Sequence, residues 1–382
     1  MKHLLLTASI TLSASAIAQT NTYSNTASKI LSTNESLSLR GYGELIYNQK
    51  MDASTMRNGK LDARRFILFT GYKFDEKTQF LSEIEVEHAN EIYLEQAFIQ
   101  HRISSRLNFR AGLMLIPMGL VNEYHEPTTF HGVERPNVDK YLIPSTWREM
   151  GVGFQGVMPE LNLAYQAYLI NGLKSHDGSQ GLFDEVNGVR SGRQKAIKST
   201  MSSPNVTAKV NFVGIPHLNL GLGLFAGKSQ SQLFDGVGRL DAFAATQADS
   251  STVGMTMVAM DARYHRKRFQ ARAQWVHSLF SGTEAYNAYT GKELGSLMTG
   301  SYVEMAYQVL PKSSRYTLYP FSRLEWYDTQ AGEGNYVDNL SSNRFEWTTG
   351  LSFFLHDGVV LKADYQMMGS TQQINMGLGV WF

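Results

Sequence analysis

From Leu39 to Phe382 the sequence runs largely in a period of two, and this rhythm restricts the fold more than any other feature. In Asn205–Val213, Val206, Ala208, Val210 and Phe212 alternate with Asn205, Thr207, Lys209 and Asn211. Leu218, Leu220, Leu222 and Leu224 repeat the pattern, as do Phe345, Trp347, Leu351, Phe353 and Leu355, and finally Ile374, Met376, Leu378, Val380 and Phe382. Successive side chains of a strand point to opposite faces, so a period of two with one apolar face describes strands lying between an apolar and a polar medium.

About sixteen such segments, each near the ten residues that a tilted membrane strand needs, follow one another. They run Leu39–Asn48, Leu61–Phe74, Thr78–His88, Glu91–Ile103, Arg106–Leu115, Arg148–Val157, Glu160–Asn171 and Asn205–Val213. The second half gives His217–Gly227, Thr252–Tyr264, Lys267–Phe280, Ser301–Leu310, Tyr316–Tyr327, Arg344–Leu355, Gly358–Met368 and Thr371–Phe382. Two segments fit poorly: Pro320 removes a ladder donor and predicts a bulge, and LDARRFILFTGYKF leaves the facing of Arg64 and Arg65 open.

The connections decide what the apolar face meets. Short links alternate with mostly long ones at Gln49–Lys60, Ile116–Trp147, Gly172–Pro204, Lys228–Ser251, Ser281–Gly300 and Asp328–Asn343. Short turns on one rim and long loops on the other belong to an outer-membrane barrel rather than a soluble sandwich. The expected fold is all-β, a transmembrane antiparallel β-barrel of about sixteen strands over residues 39–382. An even strand count puts both chain ends on the periplasmic rim. Trp326 and Trp347 then fall at extracellular strand ends and Trp381 at a periplasmic one, with Tyr42, Tyr327 and Tyr365 at similar fringes, where amphipathic rings prefer to sit.

The start of the chain agrees with export. Lys2 and His3 precede an apolar, small-residue stretch ending in Ala16-Ile17-Ala18, so residues 1–18 read as a cleaved signal peptide. Residues 19–38 form a polar lead-in, and the expected destination is the bacterial outer membrane. Lys+Arg 35 against Asp+Glu 34 leaves no basic field for nucleic acid, and the absence of cysteine rules out a disulfide framework and thiolate chemistry.

Ile116–Trp147 breaks the alternation with a stretch that has neither helical nor strand period, and such loops are usually functional. As the third connection on the long-loop rim, after Gln49–Lys60 and the short link Ala89-Asn90 that falls on the same side, it is expected to fold inward as a constriction loop carrying Glu123, Tyr124, His125, Glu126, His131, Glu134, Arg135, Asp139 and Lys140. Its His and Glu spacing matches no zinc signature, so neither metal nor cofactor is expected. Tyr124, Phe130 and Tyr141 would anchor it, and its four prolines would stiffen it.

The run Gly112-Leu-Met-Leu-Ile-Pro117-Met-Gly119-Leu, followed by Asn122-Glu-Tyr-His-Glu-Pro127, resembles the passage from strand into third loop of the phosphate-selective porin O and P family. The resemblance implies a sixteen-stranded, trimeric diffusion channel. Val380-Trp381-Phe382 is similar to the terminal signature with which outer-membrane barrels engage their assembly machinery. The family's ladder of basic residues does not map onto this chain. The loop mixes acids with Arg135 and Lys140, which leaves the solute and its charge open.

Charges are costly on a lipid face, by about 2–4 kcal/mol for Lys or Arg near the midplane, so mid-strand charges should line the lumen. That rule nominates Glu83, Glu85, Glu87, Glu91, Glu95, Arg106, Arg110, Lys209, Arg268, Arg272, Arg323 and Lys362. Two arrangements remain open: an acidic wall facing a basic one across the lumen, or charges paired between neighbouring strands. The expected function is passive diffusion of small hydrophilic solutes and ions. The alternative is a receptor or adhesin using the long loops Gly172–Pro204 and Lys228–Ser251. No nucleophile-elbow motif or His and acid pairing suggests an enzyme.

Overall fold

A computed structural model describes residues 25–51, 54–332 and 342–382 of the chain; the expected signal peptide lies outside the described residues. Sixteen strands form the ring: β1 (Leu37–Met51), β2 (Lys60–Lys73), β3 (Thr78–Glu87), β4 (Glu91–Ser104), β5 (Leu107–Leu115), β6 (Arg148–Met158), β7 (Leu163–Ile170) and β8 (Asn205–Ile215). The ring continues with β9 (Leu218–Lys228), β10 (Gly254–Arg266), β11 (Phe269–Ser281), β12 (Leu297–Tyr307), β13 (Thr317–Asp328), β14 (Asn343–His356), β15 (Val359–Met368) and β16 (Thr371–Trp381). Each strand pairs antiparallel with its neighbours in sequence, and β1 pairs with β16 to close the barrel. Gly41 and Phe382 exchange both backbone hydrogen bonds at 2.9 Å, so the last residue of the chain takes part in the seam.

The alternation turns into two surfaces. Val206, Val210, Leu220, Leu222, Leu224, Phe345, Leu351, Ile374 and Met376 are exposed on the outside, while Thr207, Lys209, Glu304 and Arg323 are buried toward the bore. Closure leaves no unpaired sheet edge, the condition for strands to span hydrocarbon.

Where the pattern looked irregular, the structure shows the cause. Glu44 pairs with Arg65 and Ile46 with Asp62, so Ala63 and Arg64 oppose the single residue Leu45. This bulge explains the poor alternation of LDARRFILFTGYKF and lets both arginines reach inner partners. In β4, Glu83 pairs with Gln96 and Ile84 with Leu94, which makes Glu95 the extra residue. Pro320 carries no bulge. Its partner Leu351 is in regular register, and the pairing of β13 with β12 ends at Phe321, so the missing N–H falls where that ladder has stopped. The twelfth strand begins at Leu297 rather than Ser301, because Met298 and Gly300 belong to an inner face that is apolar and small rather than polar.

The rim aromatics divide. Trp326 and Trp347 are partly exposed on the outer face. Tyr42 and Tyr327 are buried on the inner one, and Trp381 donates its indole N–H to Thr26 Oγ1 at 3.0 Å. Thr26 starts helix α1 (Thr26–Leu31), which packs against β1, β2 and β3, with Ile30 over the inward-facing Gly71. Asn25 caps it by accepting from Ser28 N–H.

The long loops form a packed cap. Lys174–His176 pairs in parallel with Gln230–Ser231, joining two of them. Helix α3 (Ala242–Ser250) lies in the second of these and α4 (Thr283–Thr290) in the following loop, and Tyr286 of α4 accepts from Phe183 N–H at 2.9 Å.

Candidate functional site: a bore crossed by the third loop

The segment from Ile116 to Trp147 is held shut at its base by one residue. Asn122 donates to the carbonyls of Ile116 (2.7 Å) and Trp147 (2.9 Å) and accepts from Trp147 N–H (2.6 Å), so strand β5 delivers the chain into the bore and β6 receives it back at nearly the same point. The segment contains one short helix, α2 (Asn137–Tyr141).

One flank of the segment is apolar. Ile116, Met118, Leu120, Val121, Val138, Leu142, Ile143 and Trp147 are buried in one cluster with Phe225, Met257, Ala259, Val276, Met298, Tyr302 and Tyr327. The second set comes from the inner face of β9–β13, where a water-filled wall would carry polar groups. Small residues let the chain approach there: a Cβ on Gly223 would stand 3.1 Å from Met118 Sδ, and one on Gly300 2.8 Å from Leu142 Cδ1.

The other flank is polar and reaches the remaining wall. Val133 N–H donates to Asp364 on β15 (2.6 Å), Val138 N–H to Glu325 on β13 (3.1 Å), and Asn137 to Glu346 on β14 (2.6 Å). Anchors on β1, β2, β8, β11 and β13–β15 mean that the segment crosses the ring.

Each loop residue singled out in the sequence has a defined position. Glu123 accepts from Gln166 (2.6 Å) and Lys209 (2.8 Å), and Tyr124 lies under the guanidinium of Arg263, 4.4 Å from ring centre to Cζ. His125 Nε2 stands 3.8 Å from Glu83 and 3.7 Å from Glu95. Glu126 accepts from Thr26 N–H at 2.6 Å, tying α1 to the loop. His131 bonds Gln270 (3.0 Å) and Ser352 (3.3 Å) and stacks on Phe321; burial, reinforced by Arg272 and Lys362 and opposed by Glu304, pushes its pKa down to about 4. Glu134 accepts from Arg64 (3.0 Å) and Asn48 (3.1 Å). Asp139 accepts from Gln274 (3.0 Å), and its burial raises its pKa to about 6. Arg135 has Nε and one terminal nitrogen with no hydrogen-bond partner among the described residues. Lys140, on α2, offers its carbonyl to Arg190.

The wall residues split into three groups. Lys209 bonds Gly119 O (2.6 Å) and pairs with Glu123 and Asp261 (3.2 Å); Lys362 bonds the carbonyls of Phe130 (2.8 Å) and Gly132 (2.9 Å). Arg272 bonds Thr129 O (2.7 Å) and pairs with Glu304 (3.1 Å), which also faces Arg323 (3.3 Å). These cations, with Glu83 and Glu95, hold the loop. Glu85 and Glu87 border an opening described below, Glu91 bonds Tyr93 at the exposed start of β4, and Arg110 bonds Gln100 (2.8 Å) over Phe98. Arg106 and Arg268, in contrast, stand in short turns at the rim, Arg106 paired with Glu160 at 2.6 Å; ten-residue alternation does not mark where a strand yields to its turn. Nor are the two walls of opposite charge, since Glu304, Glu325, Glu346 and Asp364 stand among the basic residues of β11–β15. Pairing between neighbouring strands accounts for much of that side.

Among the described residues, three spaces border the crossing segment. Tyr124 borders two of them on the short-turn side: one of about 330 Å³ with Lys29, Arg263 and Arg272, and one of about 380 Å³ with Gln96, Gln100, Arg110 and Gln166. The third, of about 90 Å³, lies toward the long loops and is lined by Arg64, Arg65, Arg135, Arg148, Arg190, Arg193 and Lys195, against only Glu85 and Glu87 among the acids. Burial and the neighbouring Arg190 and Arg148 pull the Arg193 pKa down to about 9, and Lys195 is lowered by burial, Arg193 and Arg148. Cations that depress one another in this way favour an anion between them. Arg190, Arg193 and Lys195 come from the loop that the sequence suggested as a receptor surface. The run VRSGRQKAIK was the available signal, but nothing in its spacing said that it turns back over the bore.

A closed barrel with an apolar exterior, a charged bore and a loop across that bore is an outer-membrane diffusion channel, and solved channels share it. The outer membrane channel DcaP of Acinetobacter baumannii superimposes at TM-score 0.59 with 12% identity, over 91% of this chain and 97% of its own. The anion-selective porin of Comamonas acidovorans gives TM-score 0.55 with 11% identity, over 91% and 99%. An Aquifex aeolicus (strain VF5) protein described only as uncharacterized is 30% identical over 351 residues, 89% of this chain and 77% of that one. The sequence profile of the phosphate-selective porin O and P family matches residues 46–374, and the chain belongs to that family. The protein is a porin of the bacterial outer membrane through which small hydrophilic solutes and ions diffuse passively.

Proposed function

We propose that this porin prefers small anions, and that they enter through the cationic opening bounded by Arg64, Arg65, Arg135, Arg148, Arg190, Arg193 and Lys195. The observation that carries this reading is a narrow space lined by seven cations and two carboxylates, in which Arg64, Arg65 and Arg148 face Glu134, Glu44 and Glu95 while Arg135, Arg190, Arg193 and Lys195 form no salt bridge among the described residues, and where a low-dielectric wall focuses the field. The name of the Comamonas acidovorans porin, anion-selective, points the same way. The crossing segment narrows the path below the opening, so size and charge are read in succession. Lipid and a trimer seam share the apolar exterior, the strand ending in Phe382 engages the assembly machinery, and the chain has no catalytic role.

The test is the zero-current potential across a planar bilayer separating unequal KCl solutions. Wild type should be anion-selective, and Arg64→Glu combined with Arg193→Glu should move the potential toward cations by several-fold in permeability ratio. Inorganic phosphate added on the long-loop side should reduce chloride current in wild type and less so in the double variant. A cation-selective wild type, or a potential unmoved by the double substitution, would sink the reading.

A further inference from the structure

Glu83 on β3, Glu95 on β4 and His125 of the crossing segment converge in the interior, each presenting a ligand atom within 4.8 Å of the other two. All three side chains are nearly inaccessible, at 0%, 0% and 4% exposure. Glu95 is the bulged residue of β4, so it points inward beside Gln96, and Gln96 holds Glu83 Oε2 at 2.5 Å. Glu83 Oε1 and both oxygens of Glu95 have no hydrogen-bond partner among the described residues.

The histidine is oriented for the same point. Its Nδ1 faces the carbonyl of Asn122 at 3.1 Å, and a carbonyl only accepts, so Nδ1 carries the hydrogen. Without an ion, Nε2 can carry a second hydrogen facing the two acids; with a cation in place of that proton, Nε2 presents a lone pair between the carboxylates, and the backbone carbonyl fixes the ring as it does for metal-ligating histidines. Nε2 lies 3.8 Å from Glu83 Oε1 and 3.7 Å from Glu95 Oε2, too far for hydrogen bonds. Two ligands about 2.1 Å from a shared tetrahedral ion stand roughly 3.4 Å apart, so the two His–Glu distances need a contraction of only a few tenths of an ångström, with the carboxylates turning toward the same ion. Arg148 approaches the other oxygen of Glu95, Oε1, at 3.6 Å and thus orients that carboxylate from behind.

We infer that Glu83, Glu95 and His125 bind one divalent cation of the zinc class, which clamps the constriction loop to the barrel wall. Two carboxylates and a neutral imidazole offset the charge of such an ion, which would take the place of the proton that His125 otherwise holds between the two buried acids. One nitrogen and two oxygens suit Zn²⁺ and leave a fourth position for water. The sequence concealed the site because its ligands come from three segments, with no short spacing to read.

The test uses the full-length protein in detergent, stripped with a chelator, dialysed and titrated with ZnCl₂. Elemental analysis and calorimetry should find one zinc per chain, bound at least about ten-fold more weakly by His125→Gln and Glu95→Gln. Zinc should raise the unfolding midpoint of wild type and leave that of His125→Gln unchanged. Absence of stoichiometric zinc, or zinc bound equally well by His125→Gln, would overturn the proposal. Should the variants fail to fold, wild type alone decides: a midpoint indifferent to both chelator and zinc also overturns it.

Discussion

The ring of Trp147 lies 4.9 Å, centre to centre, from that of Phe225 on β9 and tilted 57° to it, so the final residue of the crossing segment is packed into the barrel's own inner face. Trp147 is fully buried, and removing such a side chain costs about 3–5 kcal/mol. Trp147→Ala should therefore lower the unfolding midpoint in detergent. In single-channel recordings it should also add open-channel noise as the segment detaches. A quiet channel of unchanged stability would mean that the apolar flank does not hold the loop.

Lys209 answers for two carboxylates at once. It is buried between Glu123 at 2.8 Å and Asp261 at 3.2 Å, and removing one partner of a buried ionic group costs about 3–5 kcal/mol by stranding the others. Lys209→Met should destabilise the barrel by that order, and adding Asp261→Asn should recover part of the loss. Additive effects in chemical denaturation would argue against the coupling.

His131 gives the loop a dependence on pH. Its folded pKa of about 4 lies below its ordinary 6.5, so at intermediate pH the unfolded chain binds more protons and stability rises with pH. Its contribution is complete above the ordinary value and is lost as pH falls from there through about 4. The ring bonds Gln270 and Ser352 and is faced by Glu304, Arg272 and Lys362. Unfolding midpoints of wild type should drop on going from neutral pH to about pH 5, and His131→Gln should flatten that slope. Parallel slopes for the two proteins would exclude His131 as the source.

Helix α1 narrows the bore from the short-turn side. Glu126 accepts from both the N–H and the hydroxyl of Thr26, at 2.6 and 3.0 Å, and Lys29 lies over the ring of Trp381. Deleting residues 26–31 should raise conductance without changing which ion is preferred, because the cationic opening lies on the other side of the loop. A shift in ion preference would place α1 in the selective path instead.

The alternation made the barrel legible: sixteen segments, their long and short connections and the third loop all follow from where apolar residues recur. It failed where one rule had to serve two purposes. Met257, Ala259, Val276, Met298 and Tyr302 face inward yet are apolar, because their neighbour is protein rather than water. Assigning apolar positions to lipid therefore hid the seat of the loop and displaced the start of β12. Bulges hid the rest, since one extra residue at Glu95 or Arg64 changes which side chains share a face. The charges of Arg190, Arg193 and Lys195 were visible as composition, but their place above the bore depends on contacts between loops.

The closed seam imposes an order of events on folding. Val133 N–H finds Asp364 across 231 residues of sequence, and Lys362 reaches the carbonyl of Phe130 across 232. Those partners lie on β15, and others on β13 and β14, so the segment gains its last anchors only as the strands that complete the β1–β16 seam come into place. Contacts so distant in sequence form late and slowly. The loop is therefore part of the surface on which the last strands dock, and variants that loosen it should slow assembly of the barrel as well as alter what passes through it.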